Sequence, residues 1–406
     1  MGEGIIEDID YAPRVTHGAY RMPAHSPDAL NPFEYGGVVG PDAFCNRRQE
    51  LADLARAAEN GDRLFVYAER RMGKTSLVRR VLAALDPDRY VPVYVDLWPT
   101  DGADAFVEAT AKALATAAAT RADRLLEASK SLFSRLNPTL SLDQGGNPSL
   151  QFGGPAAEKA RSLDEVLAAP PRVAEKRGRR VVLVFDEFQQ ILAYDDDHVE
   201  RALRSAVQQY DGVATLFLGS RKHLIERMFS DSRRPLYRSA GHYPLGPIAT
   251  EHWVPFVTER FEAADKPITA EQVGALCALT EGHPFYTQHL AHALWERTPR
   301  GHAVADGALD EALDVLLRRE GYAFTTRWET LTRNQQRFLR GLALGGPDLQ
   351  PFSAEFVQAH GLRTPSNAQR AAESLLKLDV IDREDGAFVV TDRFFKIWLR
   401  RLTQER

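Results

Sequence analysis

Residues 63–75, Arg-Leu-Phe-Val-Tyr-Ala-Glu-Arg-Arg-Met-Gly-Lys-Thr, constrain the fold more than any other stretch of the chain. A short apolar run ends in a small turn, and a helical pattern follows with Leu77, Val78, Val81, Leu82 and Leu85 on one face. Strand, turn and helix with Gly-Lys-Thr at the helix mouth is the layout of a phosphate-binding loop. The free N–H groups of that helix end and its dipole both favour an anion. In that layout Lys74 reaches the β- and γ-phosphates and Thr75 offers its hydroxyl to Mg²⁺. The pattern asks for glycine six residues before the lysine, and this chain has Ala68 there. Ala68 holds the turn only with a negative φ, because a Cβ penalises the left-handed region.

The second motif is Val-Val-Leu-Val-Phe-Asp186-Glu187, beginning at Val181. Five consecutive apolar residues predict a strand buried on both faces, as in a parallel sheet. Its two carboxylates stand at the C-terminal end, where such sheets place their ligands. Asp186 is assigned to the Mg²⁺ shell, and Glu187 to orienting or deprotonating an attacking water. Read alone, the same pair could cap the next helix; read with Gly73, Lys74 and Thr75, it completes an ATP site. A further strand, residues 215–218, ends at Gly219 and Ser220. Ser220 is either a γ-phosphate sensor or a turn serine. Arg233, Arg234 and Arg238 flank Pro235-Leu236-Tyr237, and Arg238 is carried as a candidate for stabilising phosphate charge, against a surface or partner-binding role.

With 406 residues the chain has room for two or three domains. Its 44% apolar and 26% charged residues are those of a globular protein. A formal charge of −5 excludes an all-over nucleic-acid coating but not a local basic face. Cys45 and Cys277 are expected to be buried free thiols in a reducing compartment. The acidic N-terminus has no signal-peptide core, and no window approaches the ~18 apolar residues of a span. A cytoplasmic location and no membrane partner are therefore expected. Residues 1–36 are polar and proline-dotted and are expected to form an irregular arm. Other predicted elements are a helix opening near residues 44–51, a strand at 91–97, a helix at 104–126 and a strand at 243–248. Alternating runs about a Gly-Gly turn predict a β-hairpin over residues 132–154, either a contact surface or a solvated excursion.

Beyond Thr250 the apolar period is helical, as in Trp253, Phe256, Val257 and Phe261. His289 and His292 share a helix, but no third metal ligand accompanies them. Residues 331–344, 354–360 and 366–376 then read as three helices, followed by a hairpin over residues 380–390 with an Asp-Gly turn. Three helices and a β-wing describe a winged helix. Its third helix offers Ser366, Asn367, Gln369 and Arg370 to base edges. Residues 329–406 carry twelve Lys/Arg against ten Asp/Glu, so a protein partner is as compatible as duplex DNA.

With these residues in hand, the chain resembles the STAND-type, archaeal-ATPase-like branch of the AAA+ P-loop proteins, relatives of the origin-recognition ATPases. The likeness covers residues 33–406. It rests on the segment from Phe44 through Arg47 to Leu51, on Arg70-Arg71-Met72-Gly73-Lys74-Thr75-Ser76, on Phe185 to Gln189, on Gly219-Ser220, on Pro235-Leu236-Tyr237, and on Gly282-His283-Pro284. It implies an α/β P-loop NTPase domain over residues 37–248, with a parallel sheet covered by helices on both faces. An all-α lid over 249–325 and a winged helix over 326–406 would follow. The resemblance also implies that Gly282 and Pro284 form the lid turn over ATP or ADP, that Arg47 lies near adenine, and that the protein is a slow ATP-dependent switch. Self-association is left open. Relatives often carry Pro-Leu-Tyr-Gly-Arg, whereas here Arg238 directly follows Tyr237, which weakens the transfer of an arginine role.

Overall fold

Two strands buried on both faces set the layers of the sheet-forming half of the chain. Strand β1 (Arg63–Tyr67) is followed in the chain by β2 (Tyr90–Asp96), the hairpin strands β3 (Pro138–Leu142) and β4 (Pro148–Phe152), then β5 (Arg180–Asp186), β6 (Val213–Gly219) and β7 (Gly241–Pro244). Residues 181–185 of β5 and 214–218 of β6 are fully buried, as strands covered on both faces must be. The five-stranded sheet runs β2-β5-β6-β1-β7, and every neighbouring pair is parallel. Alternation sorts its side chains onto two faces. Phe65, Leu183, Phe185 and Phe217 pack against the helices Ala103–Ala118, Lys159–Leu167 and His198–Gln208. Val66, Val184, Leu216 and Leu218 pack against Arg48–Asn60 and Lys74–Ala84. This half of the chain is therefore an α/β domain, a parallel sheet with helices on both faces.

The computed structural model describes residues 30–40, 42–119, 125–133, 138–142, 148–152, 159–220, 228–346, 349–384 and 386–404. Most of the expected N-terminal arm, residues 1–29, lies outside them, as does the hairpin turn at 143–147. From Asn31 the chain is fixed against the lid: the Asn31 side chain donates to the His292 carbonyl at 3.1 Å, and Phe33 is buried against Phe256 and Phe261. The irregular arm expected over residues 1–36 thus ends in packed structure. Three other boundaries differ from expectation. The helix expected over 104–126 ends at Ala118, a separate helix covers Leu125–Leu132, and the last core strand stops at Pro244 rather than continuing to Ile248. Pro244 and Pro247 lack the N–H a longer strand needs.

The lid consists of helices Thr250–Ala263, Ala270–Thr280, Pro284–Arg297 and Ala308–Glu329. The last of these runs without a break past residue 325. The winged helix follows, with helices Arg333–Leu344, Ala354–Ala359 and Pro365–Lys377 and the antiparallel wing β8 (Ile381–Glu384) and β9 (Ala387–Val390). Thr332 with Gln335 forms a capping box, and Ser353 and Thr364 each cap their helix. A closing helix, Arg393–Gln404, was not anticipated, although Phe394, Phe395, Trp398, Leu399 and Leu402 carry a helical period. Lid and winged helix share one apolar core in which Trp253, Phe261, Leu290, Phe338 and Phe395 are fully buried.

Candidate nucleotide site

The site lies at the C-terminal tips of three adjacent strands, β5, β6 and β1. Residues 68–73 leave β1 as a loop whose Arg71 and Gly73 adopt left-handed φ of 63° and 87°. A Cβ built at Gly73 meets no atom within 4 Å, so the glycine is there for its dihedral angle and for open space above the loop. Such a backbone turns successive N–H groups towards one point. Ala68 does not have a positive φ; it is buried, and its N–H bonds the Gly219 carbonyl at 3.3 Å, so the missing glycine leaves the turn unstrained.

Lys74 opens the following helix, with its ammonium 3.0 Å from the Glu69 carbonyl and 3.4 Å from that of Ala68. Burial pulls Lys74 below its ordinary pKa, while the carboxylates of Glu187, Asp186 and Glu69 pull the other way. Thr75 Oγ1 donates to Asp186 Oδ2 at 2.7 Å, joining the helix mouth to β5. The Tyr94 hydroxyl donates to the same oxygen, and burial followed by Asp186 raises its pKa, keeping it a neutral donor. Thr75 hydroxyl and Asp186 carboxylate are hard oxygen donors of the kind Mg²⁺ takes, so this pair fits that ion. Among the described residues no cluster of three or more His, Cys, Asp or Glu forms a separate metal site.

Glu187 has a left-handed φ of 52°, which aims its side chain away from the helical continuation. Its Oε2 accepts from Ser220 Oγ at 2.8 Å and from Gln189 Nε2. The Ser220 N–H donates to Gln189 Oε1 at 3.3 Å. Ser220 therefore belongs to the carboxylate cluster and is not a lone turn serine.

Above the loop is a cleft of about 330 Å³, lined by residues 34–39, Phe44, Arg47, residues 71–76, Glu187, Ser220, Pro284, Phe285 and Gln288, among others. Arg47 is buried, and its guanidinium bonds Glu50 at 2.7 Å and the Gly246 carbonyl at 2.6 Å. Arg71 lies over the Phe285 ring at 4.2 Å, whereas Arg70 turns away, towards Trp98. Ser76 Oγ accepts from the Val39 N–H at 3.2 Å, and Met72 is buried beneath the loop. Gly282 is absent from the cleft wall. Its carbonyl accepts from Ile248 N and Trp253 Nε1, so it fastens the lid hinge instead.

Arg238 is not brought to the cleft: its guanidinium lies over Tyr237 at 5.2 Å. Arg233 pairs with Asp231, and Arg234 with Glu200. On the winged helix, Ser366, Gln369 and Arg370 are exposed, while the Asn367 side chain donates to the Leu362 carbonyl at 3.0 Å and its backbone N–H donates to the capping Thr364 hydroxyl. His289 stacks on Tyr35 and His292 bonds the Phe33 carbonyl. Cys45 and Cys277 are buried free thiols. Sequence reasoning missed Tyr94, Gln189 and residues 34–39; only Gln189, two positions past Glu187, carried a local signal.

Fold and site together define a P-loop domain of the ATPase type followed by a C-terminal winged helix. The chain belongs to a family described as an ATPase domain predominantly from Archaea, whose model matches residues 44–290, and residues 322–401 match a probable winged helix domain. No curated protein matches the sequence. The structure is similar to that of the Walker-type ATPase PABY2304 of Pyrococcus abyssi, with a TM-score of 0.59 and 19% identity over 89% of this chain and 97% of that one. It is also similar to the ORC2 protein of Aeropyrum pernix in ADPNP-ADP complexes, with a TM-score of 0.50 and 14% identity over 89% and 95%. At these identities the likeness is one of fold.

Proposed function

We propose that the protein is a Mg²⁺-dependent, ATP-hydrolysing switch whose nucleotide state is passed to the winged helix. The observation that carries this reading is the joining of Thr75 to Asp186 beside a Glu187 held by Ser220 and Gln189. Lys74, the loop N–H groups and the helix end bind the phosphates. Mg²⁺, held through Thr75 and Asp186, would supply charge neutralisation at the β- and γ-oxygens. Glu187 orients the attacking water and receives its proton; Ser220 and Gln189 fix the carboxylate rotamer. Pro284 and Phe285 of the lid, with residues 34–39, enclose the base, and Arg47 braces that wall. Exposed Ser366, Gln369 and Arg370 form the face offered to duplex DNA or to a protein.

Single-turnover hydrolysis of labelled ATP tests the reading. Wild type should release phosphate, and Glu187→Gln should bind ATP and release none. ATP left intact for hours by wild type would make the nucleotide a structural ligand.

A further inference from the structure

The phosphate loop is held from outside as well as from below. Arg393, the first residue of the closing helix, is buried with its guanidinium fork on Glu69: Nη1 lies 2.5 Å from Oε2 and Nη2 donates to Oε1 at 3.0 Å. Its Nε donates to Glu281 Oε2 of the lid at 3.0 Å, and Lys396 takes the other Glu281 oxygen at 2.7 Å. Glu69 is the second residue of the loop. Its carbonyl accepts from Lys74 while its carboxylate faces the winged helix. The next carbonyl, that of Arg70, is bonded by His283 of the lid at 3.1 Å. Beside this cluster a cavity of about 260 Å³ separates the loop from the wing, with Glu69, Asp382 and Asp392 in its walls. The link is therefore carried by charged side chains across a gap.

A buried carboxylate inside an anion-binding loop is an electrostatic contradiction. Its charge would oppose a phosphate bound by the same loop unless a cation cancelled it. Arg393 is that cation, and a bidentate fork also fixes where the Glu69 backbone sits. We infer that Arg393 is a positioning residue of the nucleotide site, supplied by the winged helix, so that the loop binds phosphate well only while the winged helix is docked. This rests on the nucleotide reading above and names the residues through which the switch is regulated. By linkage, bound nucleotide must in turn hold the winged helix down.

A double-mutant cycle on full-length protein tests it, with MgADP affinity read by calorimetry and hydrogen exchange read without nucleotide. Arg393→Met is expected to weaken MgADP binding by roughly tenfold to a hundredfold, the span of a single hydrogen bond to a charged group. It should also speed exchange at residues 69–73. Glu69→Gln in that background should restore most of the affinity, because the uncancelled charge is gone. Mere structural damage would not be repaired that way. Arg393→Lys, which keeps charge and fold but not the fork, should fall between. MgADP binding unchanged by Arg393→Met, or no restoration by Glu69→Gln, would overturn the inference. If wild type takes up no MgADP, the nucleotide reading fails. Exchange at residues 69–73 in Arg393→Met then decides the positioning claim: faster exchange supports it and unchanged exchange overturns it.

Discussion

Thr75 and Asp186, 111 positions apart in the chain, meet through a 2.7 Å hydrogen bond from the threonine hydroxyl to the carboxylate. The sheet order explains why. β1, β6 and β5 are neighbours, so the mouth of the helix after β1 and the tip of β5 face each other across β6, whose own tip supplies Ser220. One sheet edge thus gathers the Lys74 ammonium, the joined Thr75 hydroxyl and Asp186 carboxylate, and the carboxylate of Glu187.

Ser220→Ala should lower turnover while leaving nucleotide affinity within about twofold. It removes a donor to Glu187, and a hydrogen bond to a charged group is worth ~1.5–3 kcal/mol, so a kcat loss of roughly ten- to a hundredfold is expected. Steady-state kinetics with separate kcat and KM checks it; a rise in KM alone would put Ser220 in binding instead.

Gly282→Ala should destabilise the lid. Gly282 has a φ of +65°, and a Cβ there would run into the Ile248 backbone carbonyl. Left-handed strain alone costs about 1–3 kcal/mol, and the clash adds to it. A lower thermal midpoint, with faster exchange across Pro284–Arg297, is the expected readout.

Acid should weaken the fold through His283. The side chain is fully buried: Nδ1 accepts from the Phe285 N–H, so Nε2 carries the proton that it gives to the Arg70 carbonyl. Burial, then the charges of Arg393 and Lys74, push its pKa down to about 3 from an ordinary 6.5. The unfolded chain therefore takes up a proton first. Stability is intact above pH 6.5 and falls as pH drops towards 3, by up to about 1.4 kcal/mol per unit. Thermal midpoints at pH 7, 6 and 5 should fall, and His283→Gln should flatten that slope.

Neither thiol should react while the protein is folded. Burial pushes Cys45 up to about 12 and Cys277 up to about 11, leaving almost no thiolate at pH 8. Iodoacetamide labelling followed by mass spectrometry should show both unmodified until denaturant is added.

The placement of residues at the cleft was legible wherever they lay in consecutive positions. Gly73-Lys74-Thr75 after an apolar strand and Asp186-Glu187 after another are local patterns, and each needs only the strand end to place it. Arg238 lies away from the cleft for the opposite reason: an arginine near a strand end has many salt partners, and nothing local fixes where its long side chain turns. Tyr94 was invisible because its hydroxyl reaches Asp186 only once β2 pairs with β5, which sets Tyr94 opposite Val184. The Glu69–Arg393 pair, 324 positions apart, depends on how lid and winged helix share a core, which no window of sequence carries. Asn367 offered a side chain suited to base edges, but its amide is turned back onto the Leu362 carbonyl.

The most direct test of the account is calorimetric titration of MgATP into Glu187→Gln, which should hold substrate intact, and into the same variant carrying Lys74→Ala. One site per chain is predicted for the first. Its affinity should fall by roughly tenfold to a hundredfold or more in the second, where the ammonium that meets the phosphates is gone. Equal heats from both proteins, or none from either, would contradict a phosphate-binding role for residues 68–75.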